Sequence, residues 1–154
     1  MHFELITPER MVYKEEVEQV TLPTTLGEIT ILSNHEPLVA TLVPGVAKLK
    51  TKKGEEDVAV SGGFIEVSEG NIIKVLADTA ERGFELDLSS IEEAKQRAEK
   101  VMQEAVRSDD AAYAAAAAAL ERELARYRVA HKHRIMRLNP TIDRANLPPD
   151  ENPV

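Results

Sequence analysis

The chain has 154 residues, of which 43% are hydrophobic and 4% aromatic, and its formal net charge is -8. This length allows one ordinary domain or two small ones around an aliphatic core, and the negative charge argues against nucleic acid as a nonspecific partner. The absence of cysteine excludes disulfides, thiolate catalysis and cysteine-ligated metal sites. Neither a run of about 18 apolar residues nor a signal peptide is evident. The default expectation is a soluble cytosolic protein without a direct membrane span.

Residues 1–85 carry short alternating runs that glycine and proline interrupt. Examples are Ile29-Thr30-Ile31 and Ile65-Glu66-Val67, with breaks such as Pro44-Gly45 and Gly62-Gly63 between the runs. Alternation with a period of two is typical of strands that bury one face. Strands of this length and spacing predict an antiparallel β-sandwich or a small barrel.

Residues 86–138 are rich in Ala, Glu, Lys and Arg, and a first helix is predicted to begin after Asp87. Two capping boxes are possible at its start, Ser89 with Glu92 or Ser90 with Glu93. Apolar residues then recur at three- and four-residue intervals and predict one buried stripe. The stripe consists of Ile91, Ala94, Ala98, Val101 and Ala105.

A polar break at residues 107–110 separates this helix from a second one, which either Asp109 or Asp110 can cap. The alanine run 114–119 has the highest helix propensity and strongly favours a helix. A short turn between two amphipathic helices predicts an antiparallel hairpin. Because alanine offers little side-chain area, its packing is expected to be close but weak.

The chain is therefore predicted to be an α+β protein with three parts. Residues 1–85 form an N-terminal antiparallel β-sandwich, and residues 86–138 form a C-terminal antiparallel two-helix hairpin. The proline-rich tail 139–154 is expected to be disordered.

No pattern in the sequence predicts an enzyme acting by itself. Phosphate-binding glycine loops and nucleophile elbows are absent, and the lone pair Gly62-Gly63 is interpreted as a turn or bulge. His131 and His133 lie two residues apart, on different faces of a helix, so a metal site is not expected there. No catalytic residue and no metal ligand are assigned.

A cluster of cations near the end of the second helix leaves two interpretations open. Cations near a helix C terminus complement its dipole, so the cluster can be a solvated helix end. It can equally be a basic arm that binds an acidic partner. The cluster comprises Arg122, Arg126, Arg128, Lys132, Arg134 and Arg137.

Two long segments carry a family resemblance. LPTTLGEITILSNHEPLVATLVPG at 22–45 contains Gly-Glu and Asn-His turns, and VSGGFIEVSEGNIIKVLADTAER at 60–82 contains Ser-Gly-Gly and ends in Ala-Asp-Thr-Ala-Glu-Arg. In content and spacing they resemble the epsilon subunits of bacterial-type F-type ATP synthases, and the resemblance extends over roughly residues 2–135. The family's sandwich-plus-hairpin architecture agrees with the periodicities above.

The resemblance implies a non-catalytic rotor subunit of the central stalk of a proton-transporting ATP synthase. Its implied partners are the gamma subunit and the ring of membrane rotor subunits for the sandwich, and the alpha and beta subunits for the hairpin. Glu28, Asn34 and His35 occupy the turns that face the ring or gamma in the family. The implied location is peripheral, on the cytoplasmic face of the cell membrane, or on the thylakoid membrane if the chain is organelle-encoded.

In many bacterial members of the family the hairpin can extend along gamma and inhibit ATP hydrolysis, with basic residues of the second helix meeting an acidic segment of beta. The positions here that fit this role are Arg122 and Arg126, followed by Arg128, Lys132 and Arg134. A hairpin that packs through alanine suits such a switch.

Some members also bind ATP on the folded hairpin. Leu86 and Asp87 match their motif, but Ser90 replaces its Arg and Ile91 its Ala. The supporting positions are Glu81, Arg97, Arg122 and Arg126. No cofactor is expected apart from ATP as a regulatory ligand, and the loss of the motif Arg argues against ATP binding. Two alternatives to the rotor subunit therefore stay open: an ATP-sensing module, and an unrelated adaptor with the same architecture.

Overall fold

The computed structural model describes residues 1–105 and 110–138, and the sheet lies within residues 2–82. The strands are β1 (His2–Ile6), β2 (Met11–Glu16), β3 (Gln19–Thr24), β4 (Gly27–Leu32), β5 (Leu38–Leu42), β6 (Gly45–Thr51), β7 (Gly54–Val60), β8 (Gly63–Ser68), β9 (Ile72–Ala77) and β10 (Ala80–Arg82). A single 3-10 turn, Gly83–Glu85, follows β10. The predicted fold class, a sandwich followed by two helices, is confirmed.

The strand order is β10-β7-β6-β3-β5-β8-β9-β1-β2, and β4 pairs with β3 off this path. One half of the sandwich contains β10, β7, β6, β3 and β4, and the other contains β5, β8, β9, β1 and β2. The two halves are joined by one register pair between β3 and β5, Thr24 with Leu42. The sheet is antiparallel except where β1 lies parallel to β9. The predicted antiparallel sandwich therefore contains one parallel pair that the sequence did not indicate. Period-two alternation marks a strand's buried face but not the direction of its neighbour.

One aliphatic core fills the space between the two halves. It includes Leu5, Leu22, Leu49 and Ile65, all with almost no exposed side chain. The alternating residues of each strand point to opposite faces, so these inward positions are separated by outward ones. The helices are absent from this core cluster.

The first helix, α1, spans Leu88–Ala105. The predicted capping boxes at Ser89 and Ser90 are wrong, because Asp87 is the cap: its Oδ2 accepts a hydrogen bond from the Ser90 backbone N–H (3.1 Å). A carboxylate directly before the first turn accepts from a backbone N–H that has no partner within the helix. Its negative charge also interacts favourably with the positive end of the helix dipole. One residue of the predicted stripe also differs, since Val101 is 53% exposed.

The second helix, α2, spans Asp110–Leu138 and lies between α1 and the sheet. Tyr127 faces α1, where Lys95 Nζ lies 5.1 Å from its ring centroid. Ala125 and Val129 face the sheet. The two helices pack against each other as the predicted helical hairpin. The predicted turn residues Arg107, Ser108 and Asp109 and the tail 139–154 lie outside the described residues.

Candidate functional site

The contact between α2 and the sheet is small and lined by short side chains. Ala125 and Val129 of α2 pack on Ala59 of β7, with Val46 and Leu86 at the edge of the cluster. Helix and sheet meet closely where the small side chains of Ala125 and Ala59 lie in the contact. The buried apolar area is correspondingly low, which limits how strongly burial alone can hold the helix.

An ion-pair cluster lies on one side of this apolar contact. Arg126 Nη2 donates to Oε1 of Glu81 on β10 (3.1 Å), and its Nη1 donates to Oε2 of Glu123 (2.9 Å). Burial by itself would lower the pKa of Arg126, but the two carboxylates outweigh it and raise that pKa above its ordinary value. Arg126 Nε lies 2.7 Å from Glu81 Oε2, yet makes no hydrogen bond to the residues that the structure describes.

A second ion pair lies on the other side of the contact. Lys132 Nζ donates to Oδ2 of Asp57 on β7 at 2.6 Å. The side chains of Lys132 and Asp57 are only 27% and 13% exposed. This pair is therefore less screened by solvent than an ordinary surface pair.

The segment before the helices is fastened to the sandwich separately. The Arg82 guanidinium makes two hydrogen bonds to the Glu56 carboxylate, at 2.6 and 2.9 Å, and lies about 5 Å from the rings of Tyr13 and Phe84. Glu85 accepts a hydrogen bond from the Arg82 backbone N–H (2.8 Å) and pairs with Arg10. The chain is thus held to the sheet as far as Glu85, two residues before Asp87 caps α1.

Gly83 marks the closest approach between this segment and α2. A Cβ placed on Gly83 would lie 2.8 Å from Cβ of His133 and 3.0 Å from its Cγ. Only glycine permits this approach without moving the helix.

The five cations predicted for an inhibitory arm therefore divide into two groups. Arg126 and Lys132 point toward the sheet and are paired with Glu81 and Asp57. The other three, Arg122, Arg128 and Arg134, make no contact with a sheet carboxylate among the described residues. The sequence had placed all five in one basic cluster.

The residues predicted to bind nucleotide do not form one site. Glu81 and Arg126 meet, but as partners of each other. Asp87 caps α1, and Arg97 is largely exposed with its Nη1 3.8 Å from Glu93. Leu86 packs at the edge of the α2 contact, and Arg122 lies 3.8 Å from Glu123.

The residues predicted to face the membrane ring lie at opposite ends of β4. Glu28 is near its start, where Lys48 Nζ lies 3.2 Å from Oε1. Asn34 and His35 follow its end, where Asn34 has a φ of 63° and its side-chain Oδ1 is 3.4 Å from Asn71 Nδ2. The His35 ring Nδ1 lies 2.8 Å from the Glu36 carbonyl oxygen. Two separate turns, rather than one site, are presented to any partner.

An apolar row crosses the outward face of the other half of the sheet. Phe64 of β8 is in register with Leu76 of β9, Leu76 with Ile6 of β1, and Ile6 with Met11 of β2. Phe64 is 59% and Leu76 53% exposed. On β5 the register partner of Phe64 is Thr41, and the exposed Val39 is the partner of Glu66. A contiguous exposed apolar surface of this kind is typical of a protein–protein interface.

A row of alternating charges borders the apolar row. Register pairs connect Glu66 to Lys74, Lys74 to Glu4, and Glu4 to Lys14. Lys14 Nζ lies 3.1 Å from Glu4 Oε1, and Lys14 lowers the pKa of this carboxyl group. The four charged side chains of this border sum to a net charge of zero. An apolar strip beside such a charged border resembles the core and rim of an interface.

Sequence reasoning missed both Asp57 and the apolar row. The row had a signal, because Phe64 and Leu76 are apolar at positions that alternate with the buried Ile65 and Val75. Asp57 had no signal in the sequence. Its partner Lys132 is remote along the chain, and the two meet only because α2 packs on β7.

No helix in residues 1–105 and 110–138 is long and apolar enough to span a membrane. Across the same residues, no group of three His, Asp or Glu side chains is placed to hold a metal ion.

Comparison with known proteins gives a consistent family assignment. The model of the ATP synthase delta/epsilon chain β-sandwich domain matches residues 1–83. The ATP synthase epsilon chain of Syntrophomonas wolfei is 44% identical over 130 residues, which are 84% of this chain and 93% of that protein. The epsilon chain of Synechocystis is 42% identical over 106 residues, 69% of this chain and 77% of its own length.

A solved structure agrees. A chain in the mitochondrial ATP synthase of Euglena gracilis, in an assembly with the F1 head and the c-ring, superposes with a TM-score of 0.65 at 26% identity, covering 77% of this chain and 74% of that chain. The family model spans more than half of the 154 residues. The chain therefore belongs to the delta/epsilon family of ATP synthase subunits, as an epsilon-type, non-catalytic member.

Proposed function

We propose that this chain is a rotor subunit of the central stalk and attaches to the gamma subunit through the apolar row formed by Phe64, Leu76, Ile6 and Met11. The exposed row is the observation that carries the proposal. Burying large apolar side chains drives most association, and here they lie on a rigid sheet. The charged border formed by Glu66, Lys74, Glu4 and Lys14 would then set the register of the contact.

The two turns at the ends of β4 are the proposed contacts with the membrane ring or with gamma. Glu28 offers a carboxylate at one end, and Asn34 and His35 offer polar groups at the other. Because they lie at opposite ends of one strand, they meet different loops or different partners. Such attachment would make the chain peripheral, on the cytoplasmic side of the membrane.

The test of the gamma contact is a binding measurement with the matching gamma subunit. Phe64→Ser and Leu76→Ser each remove a large apolar group, and each is expected to weaken binding roughly 10- to 100-fold. Val101→Ser is the matched control, because Val101 is equally exposed but lies on α1. If binding is unchanged by both sheet variants, the row is not the gamma interface.

We further propose that the hairpin is a regulatory arm that reaches the alpha and beta subunits and restrains ATP hydrolysis. Support comes from its separation: the sandwich core holds no helix residue, and beyond Glu85 the hairpin meets the sheet through a small apolar cluster and two ion pairs. Removing residues from Leu88 onward deletes the proposed inhibitory segment. ATP hydrolysis by the catalytic head is therefore expected to rise several-fold. Unchanged hydrolysis with intact coupling would leave the sandwich as the functional part.

ATP as a ligand of the folded hairpin is a weaker second candidate. The proximity of Glu81 and Arg126 favours it, but the two neutralise each other. Arg97 is the remaining supporting cation on α1, and it faces Glu93 and solvent.

A further inference from the structure

The apolar contact under α2 needs additional anchoring. Its buried residues are Ala125 and Val129 against Ala59, all small side chains, and Val46 and Leu86 pack only partly buried at its edge. At roughly 25 cal/mol per Å² their burial stabilises docking only modestly. The ordering of a helix against a sheet must still be offset.

Two ion pairs flank this contact symmetrically along the helix. Arg126 and Lys132 lie three residues before and after Val129, so they are separated by roughly 9 Å along the helix axis at 1.5 Å per residue. On the sheet, Glu81 is the register partner of Ala59, and Asp57 lies two residues before Ala59 on β7. The two carboxylates are therefore neighbours of Ala59, one across the strands and one along β7.

We propose that Asp57 and Glu81 form a two-point latch that keeps α2 docked and withholds Lys132 and Arg126 from an acidic partner. The latch itself is a property of the isolated chain, and only its regulatory consequence rests on the proposed inhibitory arm. When the helix is docked, Asp57 and Glu81 occupy the cations that a partner's carboxylates would bind. The sheet carboxylates and the partner compete for the same two side chains.

The remaining cations have no such restriction. Arg122, Arg128 and Arg134 have no sheet carboxylate as a partner in the described part of the chain, so docking does not consume their charge. An acidic partner can attract the docked hairpin through these three and complete its contact only after the latch opens. The partner's gain from Lys132 and Arg126 is then the free energy that favours the open state.

The latch is tested first in the isolated full-length chain by thiol labelling. The chain has no cysteine, so Val129→Cys places one thiol in the buried contact, and its labelling rate reports how often α2 lifts. Adding Asp57→Asn and Glu81→Gln is expected to raise this rate about tenfold, the effect of losing two partly buried pairs near the upper end of the usual range. Glu4→Gln is the matched control, because it breaks a strand–strand pair with Lys14 on β1 and β2, strands that do not pack on α2.

Exchange of charges separates the latch from general damage to the fold. Asp57→Lys alone should raise the labelling rate at least as much as Asp57→Asn. Combining it with Lys132→Asp should restore the rate toward that of the parent, since the pair is rebuilt with reversed charge. An unchanged rate in the carboxylate variants, with far-ultraviolet dichroism preserved, would overturn the latch.

The regulatory half is tested by hydrolysis with the matching catalytic head, without the membrane ring. Asp57→Asn with Glu81→Gln releases both cations from the sheet and leaves Arg126 paired only with Glu123 of its own helix. The concentration for half inhibition should then fall by up to about tenfold, as the open fraction rises. Lys132→Gln with Arg126→Gln opens the same latch but removes the charges, so inhibition should weaken.

The two measurements fail separately. If both pairs of variants speed labelling equally but leave inhibition unchanged, the latch stands and the inhibitory arm is overturned. If labelling is unaffected while truncation still releases hydrolysis, the arm stands and the latch is overturned. Opposite effects on inhibition with equal effects on labelling support both.

Discussion

The sandwich and the docked hairpin are held by different kinds of contact. The sandwich core consists of large aliphatic side chains such as Leu22 and Ile65, which are completely buried. The hairpin meets the sheet through Ala125, Val129 and Ala59 and through two ion pairs. The sandwich is stabilised by buried apolar area. The docked hairpin is stabilised by close helix–sheet packing and by ion pairs. Under the proposed function, we expect the hairpin to leave the sheet without unfolding of the sandwich.

The largest effect should come from the sandwich. Ile65→Ala deletes a fully buried side chain and is expected to lower the free energy of unfolding by about 2–5 kcal/mol. Urea unfolding followed by dichroism measures it, and the sheet signal should be lost at a lower midpoint. Val101→Ala, at an exposed site, should change the free energy of unfolding by less than about 0.5 kcal/mol. A small loss for Ile65→Ala would contradict the single core.

The next effect should arise at the approach between Gly83 and α2. Gly83→Ala places a Cβ 2.8 Å from the His133 Cβ, so α2 must shift, at a cost of about 1–3 kcal/mol in docking. Hydrogen exchange should be faster for the backbone amides of α2 residues whose side chains face the sheet. The amides of β8 and β9 should be unaffected. His133→Gly in the same chain should relieve the contact. If the double variant is no better docked than the single one, the crowding explanation fails.

A smaller effect is expected from the apolar part of the hairpin contact. Val129→Ala removes two methyl groups that touch Ala59 and should weaken docking by about 0.5–1.5 kcal/mol. The urea midpoint of the sheet should not move, because the helices are absent from the sandwich core. Separate probes on α2 and on the sheet would reveal this difference. A matched loss of both would show one cooperative unit instead of two.

The smallest expected effect concerns ATP. Titration calorimetry with Mg-ATP should show no saturable binding tighter than about 1 mM, that is about -4 kcal/mol, because Arg126 is already neutralised by Glu81 and Glu123. Ser90→Arg restores the motif cation on α1 and is the informative comparison, since Asp87 would still accept the backbone N–H of residue 90. Tight binding by the parent chain would revive the ATP-sensing alternative.

Much of this architecture was predictable because local pattern and buried face agree. Alternation identified strands around Ile31 and Ile65, and helix propensity identified α2. The parallel pairing of β1 with β9 was not predictable, since a strand's own sequence carries no direction for a partner far along the chain. The cap at Asp87 was overlooked because Ser89 and Ser90 offered a more familiar pattern.

The candidate site was predictable only where it lies within one element. The basic cluster could be located on α2, but its division into paired and unpaired cations depends on helix orientation relative to the sheet. Arg126 and Lys132 differ from Arg128 and Arg134 only through the carboxylates that β7 and β10 bring to them. Such tertiary pairs leave no periodic trace in the sequence.

The pairing of β1 with β9 has a consequence for biosynthesis. The first strand leaves the ribosome early, but one of its two neighbours is translated only after β2 to β8. Until then β1 has β2 on one side and an open edge on the other, and open edges favour association with other chains. Closure of the sandwich must await translation of β9, so newly made chains pass through a stage in which chaperones can protect that edge. The hairpin is translated after β1 to β10, so it docks onto a body whose β7 and β10 are already in place.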